Sequence, residues 1–121
     1  MLVNAKNSPW VKNFFNVPIQ KVRVELSSKP SADFAALVKA GAIILDVRSK
    51  GEYSGGHIKG SINIPVDQLA ENLGKLKDKN KTIITCCASG MRSATAKSIL
   101  ISKGYADVHN GGGWSSLNNK I

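Results

Sequence analysis

Several residue types are scarce in this 121-residue chain, and each scarcity excludes a class of protein. The only cysteines are the adjacent Cys86 and Cys87, so the disulfide framework of a small secreted domain is not expected. No CxxC pair exists, and only His57 and His109 could assist a thiol, so we predict no structural metal site. No apolar run is long enough to cross a bilayer, and we predict no membrane partner.

Acidic residues are also few: 8 Asp and Glu stand against 17 Lys and Arg, for a formal net charge of +9. Such an excess is typical of proteins that bind nucleic acids or small anions. The densest basic cluster, residues 75–81, contains no aromatic side chain that could stack on a base. We therefore interpret it as a solvated loop, predict no nucleic-acid partner, and expect a general attraction for small anions.

The N-terminus lacks a secretory signal, so we expect a cytoplasmic protein, or a periplasmic one if a signal has been removed. The chain length fits one domain. Ser8 as a helix N-cap and Pro9 at the first helical position predict a short helix in an N-terminal extension over residues 1–20. The remaining residues, 21–121, are predicted to form the domain.

Segments typical of strands alternate with segments typical of helices along this domain. Alternating apolar and charged residues predict a half-buried strand at residues 21–26. Short apolar runs predict strands at residues 42–47, 61–64, 82–86 and 106–109. Helical spacing predicts helices that end at Gly41 and at Gly104, and another over residues 66–76. This order indicates an α/β domain with a mostly parallel sheet.

Parallel sheets carry their sites at the carboxyl ends of the strands, where Asp46-Val47-Arg48 and a loop from Cys87 to Ser93 are expected. A tight loop before a helix directs backbone N–H groups inward, and the helix adds the positive end of its dipole. Gly90 permits an unusual backbone geometry, and Arg92 adds a full charge. Such surroundings lower a thiol pKa from about 8.5 to roughly 3.5–7.5. Cys87 is therefore a candidate nucleophile; an inert strand-end cysteine is the alternative.

Several short motifs occur in order along the domain: Asp46-Val47-Arg48, Glu52-Tyr53, Gly56-His57-Ile58, Gly60-Ser61-Ile62-Asn63-Ile64-Pro65, Cys87 to Ser93 and Asn110-Gly111-Gly112. Together they resemble the rhodanese domain, here in its single-domain form, from Lys21 to Leu117. The resemblance implies a central five-stranded, mostly parallel sheet flanked by helices on both faces. It also implies a sulfurtransferase in which Cys87 accepts a sulfane sulfur from thiosulfate, a polysulfide or a persulfide, becomes a persulfide, and passes the sulfur to a thiol or cyanide by a ping-pong mechanism.

The expected partners are a small anionic sulfur donor and a thiol or protein sulfur acceptor, with no metal or organic cofactor, and the expected state is a monomer. Asp46 and Arg48 are predicted to shape the site floor, with a purely structural pairing as the alternative. His57 is interpreted as structural, and Trp114 as a cover for the core. The predicted substrate-binding residues are Ala88, Ser89, Gly90, Met91, Arg92 and Ser93.

Alternatives remain open for the second thiol and for the function. Strand alternation points Cys86 away from Cys87, which predicts a buried small hydrophobe and leaves a resolving role open. Counted from Cys86, the loop becomes C-x5-R, the length found in cysteine phosphatases, although Thr85 stands where those enzymes carry His. A third interpretation is a non-catalytic rhodanese module that binds a partner.

Overall fold

The computed structural model describes residues 33–121, so the helix predicted within residues 1–20 and the strand predicted at residues 21–26 lie outside the described residues. Strands and helices alternate along the described part. The strands are β1 (Ile43–Asp46), β2 (Ile62–Asn63), β3 (Ile83–Cys87) and β4 (Val108–Gly113). The helices are α1 (Phe34–Lys39), α2 (Lys50–Ser54), α3 (Met91–Ser102) and α4 (Trp114–Lys120).

The strands form a parallel sheet in the order β2-β1-β3-β4. Within residues 33–121 the sheet has four strands, against the five expected. Asp46 at the end of β1 lies opposite Cys86 of β3 and opposite Asn63 of β2. The carboxyl ends of these strands therefore meet at one edge, as the predicted α/β fold requires.

Helices cover both faces of this sheet because the central strands are apolar on both sides. On one face, Leu45, Ile83 and Cys87 belong to a buried cluster that includes Ala96 and Leu100 of α3. On the other face, Ile84 and Leu117 of α4 converge on Gly111, where an added Cβ would come within 2.8 Å of Ile84 and 2.9 Å of Leu117. Side chains of adjacent β3 residues therefore lie on opposite faces of the sheet, one covered by α3 and the other by α4.

The prediction of a helix over residues 66–76 is wrong. This segment forms two 3-10 helices, Val66–Glu71 and Leu73–Lys75, separated by Asn72. Leu69 and Leu76 are buried as the apolar stripe predicted, but no side chain caps the first turn, whose N-cap is Pro65. None of the helices within residues 33–121 is long and apolar enough to cross a membrane.

Two short helices were not predicted. Helix α2 begins with a capping box, in which the Ser49 hydroxyl accepts from the Glu52 N–H and the Glu52 carboxylate accepts from the Ser49 N–H. Its sequence, with a glycine in the first turn, has no apolar periodicity and buries no residue. Helix α4 follows the glycines of β4 directly and is anchored by Leu117. Both segments are mostly polar, so apolar periodicity did not predict either helix.

Candidate active site

The Cys87 side chain lies at the end of β3, inside the loop that precedes α3. Its Sγ accepts hydrogen bonds from the backbone N–H of Gly90, at 2.9 Å, and of Ser93, at 3.4 Å. Gly90 adopts a φ of 109°, a region that side chains disfavour, and this turn aims its N–H at the sulfur. The loop therefore solvates the sulfur with backbone dipoles; of residues 88–92, for which the sequence predicted inward N–H groups, Gly90 makes this contact, and Ser93 adds a second.

Burial and hydrogen bonding act in opposite directions on the Cys87 thiol. The side chain is only 1% exposed, and this burial raises its pKa. Hydrogen bonds from the Ser93 hydroxyl and from the N–H groups of Ser93, Gly90 and Ser89 lower the pKa by more, so that it falls below the ordinary value. Hydrogen bonds to the anion stabilise the charged form even where water is excluded. Cys87 is thus a buried thiol poised to ionise.

Ser93 and Asn110 form a polar network behind the sulfur. The Ser93 hydroxyl is buried and lies 2.6 Å from Oδ1 of Asn110 and 2.9 Å from the Gly90 carbonyl. The same Asn110 oxygen accepts from the Gly112 N–H at 2.9 Å. A hydroxyl has one proton, so donation to Asn110 or Gly90 competes with donation to the sulfur. Asn110 therefore fixes the position of the Ser93 hydroxyl beside Cys87.

Arg92 is held by an ion pair at the rim of the loop. Its two terminal nitrogens donate to the two carboxylate oxygens of Glu52, at 2.7 and 3.0 Å, and both side chains are more than one third exposed. Hydrogen bonds from Arg92 lower the pKa of Glu52 to about 2, helped by the Ser49 N–H. The guanidinium thus faces α2, and none of the hydrogen bonds that lower the Cys87 pKa comes from it.

Asp46 and Arg48 form a buried ion pair on the opposite face of the sheet. Nε and Nη2 of Arg48 donate to the two carboxylate oxygens of Asp46, at 3.0 and 2.7 Å. Nη2 also donates to the Gly56 carbonyl at 2.7 Å, and the guanidinium lies 4.6 Å from the Trp114 ring centroid. These contacts tie β1 to the turn around Gly56 and to α4. They form the structural pairing that the sequence left as an alternative.

Cys86 has surroundings unlike those of Cys87. Its side chain is fully buried, and it lies on the face that carries Asp46 and Arg48. Burial, assisted by the Asp46 carboxylate, raises the pKa of Cys86 to about 12. A phosphatase-like use of Cys86 needs this sulfur inside the loop as an anion, and the structure places it elsewhere as a neutral thiol. The geometry therefore argues against the C-x5-R alternative.

Other predicted residues lie around the loop in several roles. Ala88 and Ser89 are exposed at its tip, and Met91 is 80% exposed at the first turn of α3. The His57 ring stacks on Tyr53 at 3.7 Å and its Nδ1 lies 2.7 Å from the Tyr53 carbonyl, which suits a structural residue. Trp114 is half-buried, and its ring packs against the guanidinium of Arg48.

A cavity of about 450 Å³ lies at the same edge of the sheet. Val47, which belongs to the buried cluster that contains Cys87, forms part of its wall, and Arg92 forms another part. Lys50 and Asp67 bring charged groups to its rim. Neither Lys50 nor Asp67 stands within a motif, so their position at this cavity could not be predicted from the sequence. Cys87 itself is not among the lining residues, which are Val47, Ser49, Lys50, Pro65, Val66, Asp67, Gln68 and Arg92.

Glu52 and Asn110 lie within the motifs, but their roles at the site were not predicted from the sequence. The carboxylate of Glu52 reaches Arg92 of the cysteine loop and forms an ion pair with it. The contact joins residues 40 positions apart, so no local pattern reveals it. Asn110 reaches the loop from β4, a neighbouring strand. An asparagine that follows the strand predicted at residues 106–109 and precedes glycines is the one local signal for this role.

The fold and the loop define a class: an α/β protein in which a loop at the carboxyl edge of a parallel sheet directs N–H groups at a cysteine sulfur. Residues 31–120 match the rhodanese-like domain family. The chain therefore belongs to the rhodanese-like domain family, as the motifs predicted.

Individual relatives agree with this assignment. The chain is 38% identical over 85 residues to thiosulfate sulfurtransferase PspE of Escherichia coli strain K12, which covers 69% of this chain and 82% of the relative. It is 29% identical to thiosulfate sulfurtransferase GlpE of Pseudomonas fluorescens strain SBW25, over 70% of this chain and 77% of the relative. These names support sulfurtransferase activity in broad terms.

Solved structures show the same fold. A rhodanese with anions from E. coli superposes with a TM-score of 0.58 at 37% identity, covering 61% of this chain and 88% of that structure. The human single-domain sulfurtransferase TSTD1 gives a TM-score of 0.66 at 26% identity, covering 76% of this chain and 97% of that structure.

Proposed function

We propose that this protein is a sulfurtransferase that carries a sulfane sulfur on Cys87. The observation that carries the proposal is the set of N–H groups that point at Sγ, from Gly90 at 2.9 Å and from Ser93 at 3.4 Å. Their effect on the Cys87 pKa favours a thiolate, which is the nucleophilic form of cysteine. The relatives named thiosulfate sulfurtransferases support the same activity.

The loop suits both halves of a ping-pong cycle. In the first half, the Cys87 thiolate attacks the outer sulfur of the donor, forms an S–S bond, and releases the remainder of the donor with the electron pair of the broken bond. In the second half, an acceptor attacks the outer sulfur and the electron pair returns to Cys87. Fixed amide dipoles stabilise the anion before and after each step without reorganisation.

Thiosulfate suits this site as a donor because the positive net charge of the chain attracts anions. The formal net charge is +9, and a positive field raises the local concentration of a small dianion. The loop itself contains one charged side chain, Arg92, and that side chain is paired with Glu52. Polysulfides and persulfides therefore remain donors of equal standing in this proposal, and the acceptor is a thiol or cyanide.

The experiment is the intact mass of the protein after treatment with thiosulfate, followed by addition of cyanide. We expect the mass of one sulfur atom to be added at Cys87 and then removed as thiocyanate. The matched pair Cys87→Ser and Cys86→Ser tests the assignment: the first variant is expected to lose the sulfur adduct and turnover, and the second to keep most of both. Sulfur carried by the Cys87→Ser variant would contradict the assignment.

The same experiment separates this proposal from a non-catalytic module. Such a module takes up no sulfur from thiosulfate or from polysulfide, although it folds normally. Phosphate release from a generic aryl phosphate, measured beside thiocyanate formation, tests the phosphatase alternative. We expect thiocyanate formation without phosphate release.

A further inference from the structure

The cavity beside the cysteine loop has a charge pattern that the transfer of sulfur to Cys87 does not itself require. Two chain segments form most of its wall: the one that follows β1 and the one that follows β2. Val47 connects the cavity to the buried cluster around Cys87, and Arg92 connects it to the loop rim. A group that enters this cavity therefore approaches the loop from the side of β1.

Two exposed charges of opposite sign stand on the cavity wall. Lys50 lies at the start of α2, and Asp67 lies in the 3-10 helix that follows β2. Within residues 33–121, neither side chain takes part in an ion pair. The remaining cation of the wall, Arg92, is already bound to Glu52. The cavity thus presents one ammonium and one carboxylate that are available to a ligand.

The rest of the wall is uncharged apart from Arg92, with Ser49 and Gln68 as its polar residues, and the volume is modest. Val47, Pro65 and Val66 supply hydrocarbon surface. A volume of about 450 Å³ lies within the usual range for small-molecule sites, roughly 300–1,000 Å³. The combination fits a small ligand that carries two opposite charges and a short uncharged side chain.

Resting on the sulfur transfer proposed above, we propose that this cavity is the acceptor subsite and that it selects small thiols with the head group of an α-amino acid. The ligand carboxylate pairs with Lys50, its ammonium pairs with Asp67, and its side chain extends towards the Cys87 loop. The acceptor thiol attacks the outer sulfur of the Cys87 persulfide, so the Cys87–sulfur bond breaks and its electron pair stays on Cys87 as a thiolate. The acceptor's proton moves to the transferred sulfur, which leaves as the acceptor persulfide.

The test measures how fast protein loaded with sulfur discharges it to four thiols of defined charge. Cysteine carries both charges, 3-mercaptopropionate only the carboxylate, cysteamine only the ammonium, and 2-mercaptoethanol neither. Each rate constant is compared between variant and wild type for the same thiol, so the intrinsic reactivity of the thiol cancels. Intact mass follows the loss of sulfur directly.

Each cavity charge has its own expected pattern. Lys50→Gln is expected to slow discharge to cysteine and 3-mercaptopropionate by about threefold more than discharge to 2-mercaptoethanol, the scale of an exposed ion pair. Asp67→Asn is expected to slow cysteine and cysteamine by a similar excess. Lys59→Gln and Glu71→Gln, which remove exposed charges outside the cavity, are the matched controls and are expected to show no such selectivity.

Two results overturn the subsite. One is an equal change for all four thiols in both cavity variants. The other is the same selectivity in the Lys59→Gln or Glu71→Gln control, which would assign it to the overall charge. Failure of the proposed sulfur transfer gives a different result. If the wild-type protein takes up no sulfur, both proposals are wrong. If it loads sulfur and discharges it to cyanide, but the cavity variants show no selectivity among the four thiols, only the subsite is wrong.

Discussion

Cys86 and Cys87 are neighbours in β3 and are both buried, yet their surroundings have opposite effects on the ionisation of the two thiols. The pKa of Cys86 is raised to about 12, whereas that of Cys87 is lowered. The side chains lie on opposite faces of the sheet, and the residues that meet them differ in kind. Burial alone therefore does not decide whether a thiol ionises.

Backbone N–H dipoles that point at a sulfur lower its pKa more than a nearby charge that is already paired with another residue. Arg48 does lower the pKa of Cys86, but burial and the Asp46 carboxylate raise it by more, because the guanidinium is already paired with that carboxylate. Around Cys87, the N–H groups of Gly90 and Ser93 point at the sulfur. A few uncommitted amides thus solvate an anion better than a nearby ion pair does.

The largest expected effect is the difference in alkylation between the two thiols. At neutral pH in the folded protein, we expect iodoacetamide to modify Cys87 at least about a hundredfold faster than Cys86, because only the thiolate reacts. Peptide mapping of the modified protein measures both rates. In urea the two rates are expected to converge, which serves as the control. Modification of Cys86 at the rate of Cys87 before unfolding would break the comparison.

The second effect concerns the ion pair on the Cys86 face. Asp46→Asn leaves the buried guanidinium of Arg48 without its carboxylate, so we expect the free energy of unfolding to fall by about 3–5 kcal/mol. Urea denaturation measures this loss. Glu71→Gln, at an exposed acidic residue, is the control and is expected to change stability little. A fully stable Asp46→Asn protein would show that the pair is dispensable.

Much of this arrangement was predictable from local sequence. Apolar runs located β1 and β3, and the strand-loop-helix order placed Cys87 at a helix N-terminus with Gly90 in the turn. Alternation along the strand correctly separated the two thiols. These features depend on neighbouring residues, so short-range patterns carry them.

Contacts between distant residues were not predictable in the same way. The sequence treated Arg92 as a free charge for the loop, but Glu52, which is 40 positions away, binds it. The segment at residues 66–76 has a helical stripe, yet it follows Pro65 without a side-chain cap and forms 3-10 turns. Lys50 and Asp67 line the same cavity because the pairing of β1 with β2 brings the segments that follow these strands together.

The third prediction tests the hydroxyl that supports the Cys87 anion. Ser93→Ala removes the hydroxyl that lies beside Cys87 and lowers the pKa of its thiol, while keeping the Ser93 N–H, so we expect the pKa of Cys87 to rise. The pH midpoint of its alkylation, measured between pH 5 and 10, is expected to move upwards. Ser102→Ala, in the last turn of α3, is the control. An unchanged midpoint would assign the stabilisation to the backbone alone.

The same variant changes how stability depends on pH. The folded state favours the Cys87 thiolate, so the unfolded state binds more protons between the lowered folded pKa and the ordinary unfolded pKa. The free energy of unfolding therefore gains a contribution as pH rises through this window, and the contribution is lost as pH falls through the folded pKa. Ser93→Ala is expected to narrow the window, which urea denaturation at a series of pH values measures.

The smallest expected effect concerns the ion pair at the loop rim. Glu52→Gln releases the guanidinium of Arg92 but keeps a residue that suits the capping box of α2. We expect the KM for thiosulfate to fall by about twofold to threefold, the scale of one exposed charge, because the cation becomes available to the donor. Arg92→Ala is expected to raise this KM instead.

Acid does not substitute for the Glu52→Gln change. The pKa of Glu52 is about 2, so its carboxylate remains charged and bound to Arg92 as the pH falls from 7 to 4. The ratio of KM between wild type and Glu52→Gln is therefore expected to stay constant over this range. A ratio that approaches one near pH 4 would show that Glu52 protonates at its ordinary pKa and that Arg92 is not held. In that case the rim cation would act directly on the loop, and the contrast between committed charges and available dipoles would fail on the Cys87 face.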